Sequence, residues 1–184
     1  VAAHELLWRA CYARPNQLQP PGDWGAWLVK AGRGFGKTRI GAEWVMERVR
    51  LGIARRIMLI ERTPADARET MVEGESGILA CCAPYERPLW EPSKARLTWP
   101  NGARARVFTA AEPEKARGPN VDTIWAEELA SWKAPETWDN ALFGLRIGVD
   151  PRAIITTTPK PMPLLRKLMK DPTVVVTNGS TWEN

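Results

Sequence analysis

Apolar and polar positions along the chain switch between a period near 3.6 and short unbroken runs. Ala3 to Ala13 has helical spacing, with Leu6, Leu7, Ala10 and Cys11 available for one face. Pro15, Pro20 and Pro21 then break any helix through the connection from Arg14 to Asp23. Gly25 to Lys30 reads as a first buried strand. Lys37 to Leu51 reads as a helix with Ile40, Trp44, Val45 and Val49 on its buried stripe, and Gly52 stops it. Arg56 to Glu61 is a second buried strand. Thr63-Pro64 caps a helical stretch from Pro64 to Val72. Gly74 to Pro92 shows no usable period. Ala95 to Trp99 and Ala103 to Thr109 flank Asn101-Gly102, a strong hairpin signal. Val121 to Ala126 is a strand, Pro135 to Leu145 a helix, Ala153 to Thr157 a strand, Pro161 to Met169 a helix and Thr173 to Thr177 a last strand. Near-continuous apolar strands alternating with helices predict an α/β fold: a mostly parallel central sheet with helices on both faces. Ligands of such sheets gather at the carboxyl ends of the strands.

One of those ends carries specific chemistry. The run Trp27 to Val29 enters Ala31-Gly32-Arg33-Gly34-Phe35-Gly36-Lys37-Thr38, which then opens a helix. Glycines at 32, 34 and 36 let backbone N–H groups curl around phosphate oxygens. Lys37 can reach the β and γ phosphates, and the Thr38 hydroxyl can ligate Mg²⁺. The helix N-terminus adds a favourable field for the anion. The ligand this predicts is a nucleoside triphosphate with magnesium. The pattern's first glycine is replaced by Ala31, which tolerates positive φ poorly, so the loop is expected to enter with a negative φ there.

Composition narrows the picture without changing it. The 184 residues suffice for one domain with a sizeable core, and no apolar run is long enough to span a bilayer. No signal-peptide pattern opens the sequence. Cys11, Cys81 and Cys82, with the single His4, match no metal or disulfide spacing, so reduced thiols are expected. The net charge is +5; residues 1–60 hold ten Lys/Arg against four Asp/Glu, and the remainder sixteen against seventeen. The basic excess therefore lies in the half that contains the phosphate loop. Trp27, Trp44 and Trp125 are expected in the core. Arg104 and Arg106 alternate with Ala103, Ala105 and Val107, the pattern of a solvated strand face that could also touch DNA phosphate.

A second strand end is acidic. Val121-Asp-Thr-Ile-Trp-Ala-Glu-Glu128 has the form of the Mg²⁺-organising strand of a P-loop ATPase, in which Asp-Glu is the usual pair. Here Glu127 takes the metal-shell position and Glu128 is the candidate general base. Glu127→Asp is expected to retain or raise turnover, because it restores the commoner spacing.

Together these segments, with Ala116-Arg-Gly-Pro-Asn120, Trp125 to Ala130 and Thr156-Thr-Thr-Pro159, resemble the ATPase domain of tailed-bacteriophage terminase large subunits, the motors that package viral DNA. The resemblance covers essentially the whole chain. It implies an additional-strand P-loop NTPase, with an extra strand between the phosphate-loop strand and the acidic strand. It makes Lys37 and Thr38 the phosphate and Mg²⁺ contacts, with Ala31, Gly32, Arg33, Gly34, Phe35 and Gly36 lining the phosphates. Glu127 stands with Thr38 at the metal and Glu128 is the catalytic acid-base residue. Arg14-Pro-Asn-Gln17 resembles an adenine-sensing element, with Gln17 as its nucleotide contact. The Thr156-Thr157-Thr158 strand end resembles the motif that couples the γ-phosphate state to movement, with Thr157 and Thr158 as its nucleotide contacts.

Two arginines compete for the charge-stabilising role, Arg33 in cis and Arg117 in trans. The trans reading is favoured, because a ring motor needs one subunit to sense its neighbour. The implied partners are double-stranded DNA, a pentameric ring of identical subunits, a portal protein and a small terminase subunit, with no membrane. The implied place is the bacterial cytoplasm, docked transiently on a procapsid portal. Family members continue into an RNase H-like nuclease; residues 1–184 are expected to form a single ATPase domain, without nuclease activity. The alternatives are a superfamily-2-like DNA helicase or translocase core, and a nucleotide-dependent assembly switch whose catalysis Glu127 has weakened.

Overall fold

A computed structural model describes residues 8–180 of the protein. Eight strands form one sheet in the order β3-β4-β5-β2-β6-β7-β1-β8. Strand β1 (Ala26–Ala31) lies between β7 (Arg152–Thr157) and β8 (Val174–Gly179), and β2 (Arg56–Glu61) between β5 (Arg104–Thr109) and β6 (Thr123–Glu127). All pairings from β5 through β8 are parallel. The short strands β3 (Leu89–Glu91) and β4 (Arg96–Thr98) run antiparallel at the β5 edge. β7 therefore separates the phosphate-loop strand β1 from the acidic strand β6, as the additional-strand class requires.

Each parallel strand splits its side chains between two cores, as a period of two demands. Trp27, Val29, Leu59, Trp125 and Ile154 face helix α1 (Lys37–Arg50) and the irregular segment after it. Leu28, Met58, Ile60, Ile124 and Ile155 face the other side. That side is covered by α3 (Pro113–Arg117), α4 (Glu136–Gly144) and α5 (Pro163–Leu168) through Ala116, Trp138 and Leu165. Burying each large side chain contributes on the order of 2 kcal/mol against the entropy of ordering the chain.

Local signals set the boundaries. Gly36 caps α1 at φ 89°, and Gly52 at φ 71° follows its last turn. Thr63 accepts a bond from the Asp66 amide at 3.1 Å and starts α2 (Pro64–Asp66), which widens into a π-turn over Ala67–Val72. The β4–β5 hairpin turns at Asn101-Gly102, with Gly102 at φ 85°. Gly74 to Pro92 contains the 3-10 turns Ile78–Ala80 and Pro84–Glu86 followed by β3, three-residue elements too short to carry a period. The expected helix from Ala3 to Ala13 lies partly outside the described residues; inside them Trp8–Tyr12 forms a π-helical turn. Cys81 and Cys82 are buried free thiols, and burial pushes Cys82 up to about 12, so they pack rather than react. No described helix is long and apolar enough to cross a membrane.

Candidate nucleotide site

The carboxyl ends of β1, β6 and β7 meet at one edge of the sheet. Ala31 ends β1 fully buried and is not among the positive-φ residues, so alanine suits the loop entry. Gly34 (φ 79°) and Gly36 (φ 89°) supply the left-handed turns that expose the loop amides. Phe35, between them, points the other way: its ring is fully buried against Gly179, where an added Cβ would approach it to 2.2 Å. The loop tip is thereby pinned to β8, and Phe35 can serve a nucleotide only through its backbone.

The upstream segment grips the same residue. Gln17 Nε2 and Arg14 Nη2 each donate to the Phe35 carbonyl at 2.8 Å, and the Arg14 guanidinium lies 4.9 Å from the Phe35 ring centroid. The Arg14 amide in turn donates to Gln17 Oε1 at 2.9 Å. The expected base-sensing element is thus bonded directly to the phosphate loop, so movement of one is transmitted to the other.

Lys37 and Thr38 open α1 and face the two glutamates. Lys37 Nζ donates to the Gly32 carbonyl at 3.1 Å and lies 3.6 Å from Glu128 Oε1. Thr38 Oγ1 donates to Glu127 Oε1 at 2.6 Å. Glu127 is buried at the end of β6. Its other oxygen accepts from Trp125 Nε1 at 3.0 Å and from the Thr156 hydroxyl, while Trp132 Nε1 donates to its backbone carbonyl at 2.9 Å. Burial nevertheless holds the Glu127 carboxyl above its ordinary range, opposed by the hydrogen bonds from Thr156, Thr38 and Trp125.

Glu128 differs from its neighbour in backbone conformation and in exposure. Its backbone is left-handed at φ 47°, its side chain is 28% exposed, and it accepts from Thr158 Oγ1 at 3.0 Å and Thr158 N at 3.2 Å. The left-handed turn breaks strand alternation, so two adjacent glutamates can both serve the strand end. Thr157 Oγ1 accepts from the Ala130 amide at 3.0 Å and ties β7 to the chain beyond β6.

The oxygen donors fit a magnesium ion in chemistry: a threonine hydroxyl and a buried carboxylate already share one hydrogen bond. Gln17, Phe35, Lys37, Thr38, Glu127, Glu128, Thr157 and Thr158 thus gather at the carboxyl edge of the sheet. Arg33 lies exposed in the loop. Arg117 ends α3, exposed, over the Phe143 ring at 5.5 Å; among the described residues it has no bond to the loop or to β6. The positioning groups Trp125 and Trp132 lie outside the sequence reading of the site; Thr156 lies inside it, as part of the coupling strand end, but not as a partner of Glu127. Trp125 stands two residues before Glu127 on one strand, and that spacing alone puts both on the same face. Thr156 is the register partner of Glu127, which only the strand pairing reveals.

The strand order and the phosphate loop define an additional-strand P-loop NTPase. Residues 28–177 match the family model described as the N-terminal part of the terminase large subunit, T4likevirus-type, and the chain belongs to that family as its ATPase domain. Similar solved structures include the large terminase ATPase domain of Thermus phage P74-26, with TM-score 0.65 and 15% identity over 88% of this chain and 78% of that one. Another is the large terminase of a thermophilic bacteriophage in complex with ADP, with TM-score 0.67 and 15% identity over 96% of this chain and 44% of that one. The "Phi-28 gp11 DNA packaging Motor" matches at TM-score 0.52 and 12% identity over 85% and 57%. The chain therefore spans less than half of the ADP-bound large terminase. No curated protein sequence matches it. The helicase alternative gives way to the family assignment.

Proposed function

We propose that this domain hydrolyses ATP with magnesium to drive double-stranded viral DNA into a procapsid. The observation that carries the reading is the convergence of Lys37 and Thr38 with Glu128 and Glu127, at 3.6 Å and 2.6 Å respectively. Related terminases are described in complex with ADP and with ATP-γ-S. Thr38 and Glu127 would hold magnesium, which when bound neutralises phosphate charge. Lys37 leaves the Gly32 carbonyl to bind β and γ oxygens. That movement also removes its charge from Glu128, which is then free to orient water and accept its proton. Thr158, bonded to Glu128 through two atoms, carries the change in that side chain into β7. Arg117 from an adjoining subunit, or Arg33 within the loop, stabilises charge as the γ-phosphate leaves. The working assembly is a pentameric ring on a portal, with a small terminase subunit, in the host cytoplasm.

Nucleotide binding and turnover of wild type, Glu128→Ala and Lys37→Ala test this. Glu128→Ala is expected to bind ATP and lose turnover. Lys37→Ala is expected to weaken binding roughly a hundredfold, the scale of a lost charge-assisted contact. Equal turnover in wild type and Glu128→Ala removes Glu128 from its role. The buried Glu127 favours one second reading: binding without turnover at any protein concentration would mark an assembly switch.

A further inference from the structure

Strands β4 and β5 carry opposite chemistry on their two faces. Ala103 and Ala105 are fully buried on the α1 side, with Leu97. Arg104 and Arg106 point to the other side and are exposed. Parallel register sets Arg104 beside Arg56 of β2, and antiparallel register sets Arg106 beside Arg96 of β4. The four arginines line a shallow cleft of about 300 Å³ whose wall includes Phe108.

Their charges are largely uncompensated. Arg96 pairs with Glu91 at 2.7 Å. Among the described residues, no carboxylate forms an ion pair with Arg56, Arg104 or Arg106. Arg106 instead stacks on Phe108, 5.4 Å from the ring centroid, which restrains its guanidinium over the cleft. The nucleotide does not account for these groups. Arg56 and Arg104 are the first residues of β2 and β5, at the end of the parallel strands opposite the phosphate loop and Glu127. Neighbouring like charges repel one another, and among the described residues only Arg96 has an acid to relieve it.

We infer that this arginine face of β2, β4 and β5 grips the sugar–phosphate backbone of double-stranded DNA. The assignment rests on the DNA-motor reading and locates its polymer contact. A line of guanidinium forks complements a chain of phosphates, and such contacts carry no sequence information, as translocation along any sequence requires. The cleft also lies at the opposite strand ends from ATP, so both ligands can be held at once.

The test is binding of a short fluorescent DNA duplex by the 184-residue chain across a range of salt. Arg104→Gln with Arg106→Gln is expected to weaken binding roughly ten- to a hundredfold near 0.1 M salt and to reduce the salt slope by about two. Arg104→Lys with Arg106→Lys keeps the charge and is expected to retain most of the affinity. Arg166→Gln with Lys170→Gln removes two charges outside the cleft and is expected to have a smaller effect. Nucleotide binding by the Arg104 and Arg106 variants reports their folding, since both residues lie away from the nucleotide edge. Unchanged DNA affinity in the Gln pair, equal loss in the Lys pair, or no salt-dependent DNA binding by wild type would each overturn the assignment. Failure of the motor reading is seen separately, as ATP turnover absent at every protein concentration in wild type that still binds DNA through this face.

Discussion

The carboxyl edge of the sheet and the arginine face of β4 and β5 are both rich in charge, and they treat it in opposite ways. At the edge, Lys37, Glu127 and Glu128 each touch named partners: the Gly32 carbonyl, the Thr38 and Thr156 hydroxyls, the Trp125 indole and Thr158. On the face, among the described residues, Arg104 and Arg56 stand exposed without an acid, and Arg106 is steadied by the Phe108 ring. A small ligand that must react needs side chains fixed before it arrives, because reorganisation at the moment of reaction raises the barrier. A polymer that must be gripped and released needs charge in reach of solvent, where counterion release supplies affinity and salt or motion can undo it. The two regions therefore suit the two proposed tasks, chemistry at the edge and traction on the face.

Arg117 has features of both regions and provides the largest expected effect. It is exposed, like the arginines of the face, and stacks on a ring, Phe143, that is itself 61% exposed. Yet its proposed work lies at the nucleotide edge of a neighbouring subunit. If so, wild-type specific activity rises with protein concentration, and Arg117→Ala removes that rise, an effect of roughly a thousandfold at saturation. Mixing Arg117→Ala with Glu128→Ala then restores partial activity, because some interfaces pair an intact Arg117 with an intact Glu128. Loss of DNA affinity instead, with turnover unchanged, would move Arg117 to the traction surface and leave Arg33 as the stabiliser.

Glu127→Asp measures how firmly the edge is pre-organised. Sequence reasoning alone expects this change to retain or raise turnover. The geometry reverses that expectation: the longer side chain already spans from β6 to the Thr38 hydroxyl on one oxygen and to Thr156 and Trp125 on the other. Removing one methylene draws the carboxylate away from all three donors. Turnover is expected to fall about tenfold or more, the scale of one or two lost hydrogen bonds to a charged group. Activity at or above wild type would mean that the edge re-forms around a shorter acid.

How much of this is legible in the sequence depends on the length of the signal. Arg56 to Glu61 is bounded by charges around four apolar residues, and the observed strand has the same limits. The phosphate loop, the hairpin at Asn101-Gly102 and the helix from Lys37 are equally plain, because glycine and spacing fix them locally. The extra strand between β1 and β6 comes from resemblance, since register and strand order depend on residues far apart in the chain. Gly74 to Pro92 defeats the pattern because its elements are single turns. Periodicity puts Trp125 in the core, and its ring is buried. What periodicity cannot show is that its indole N–H holds Glu127 while the ring packs against Gly41, where a Cβ would come within 2.2 Å.

Glu61 supplies the smallest effect and marks where the ordered edge stops. It ends β2 beside β6 and is only 2% exposed, but none of the nucleotide-site residues bonds to its side chain. Burial raises its carboxyl from 4.5 to about 7, opposed in part by the Thr63 amide and the neighbouring Arg62. Below the ordinary value both folded and unfolded chains carry the proton, and stability does not depend on it. Between 4.5 and about 7 the unfolded chain ionises first, so stability falls as pH rises; above that window the loss is complete, up to roughly 3 kcal/mol. Glu61→Gln keeps an acceptor for the Thr63 amide and removes the titration. Its melting temperature is expected to exceed wild type near pH 8, to converge with it near pH 4, and to leave turnover unchanged. Melting curves that run parallel across this range would show that the anion is already accommodated. A loss of turnover without a change in melting would instead extend the ordered edge from β6 to the end of β2.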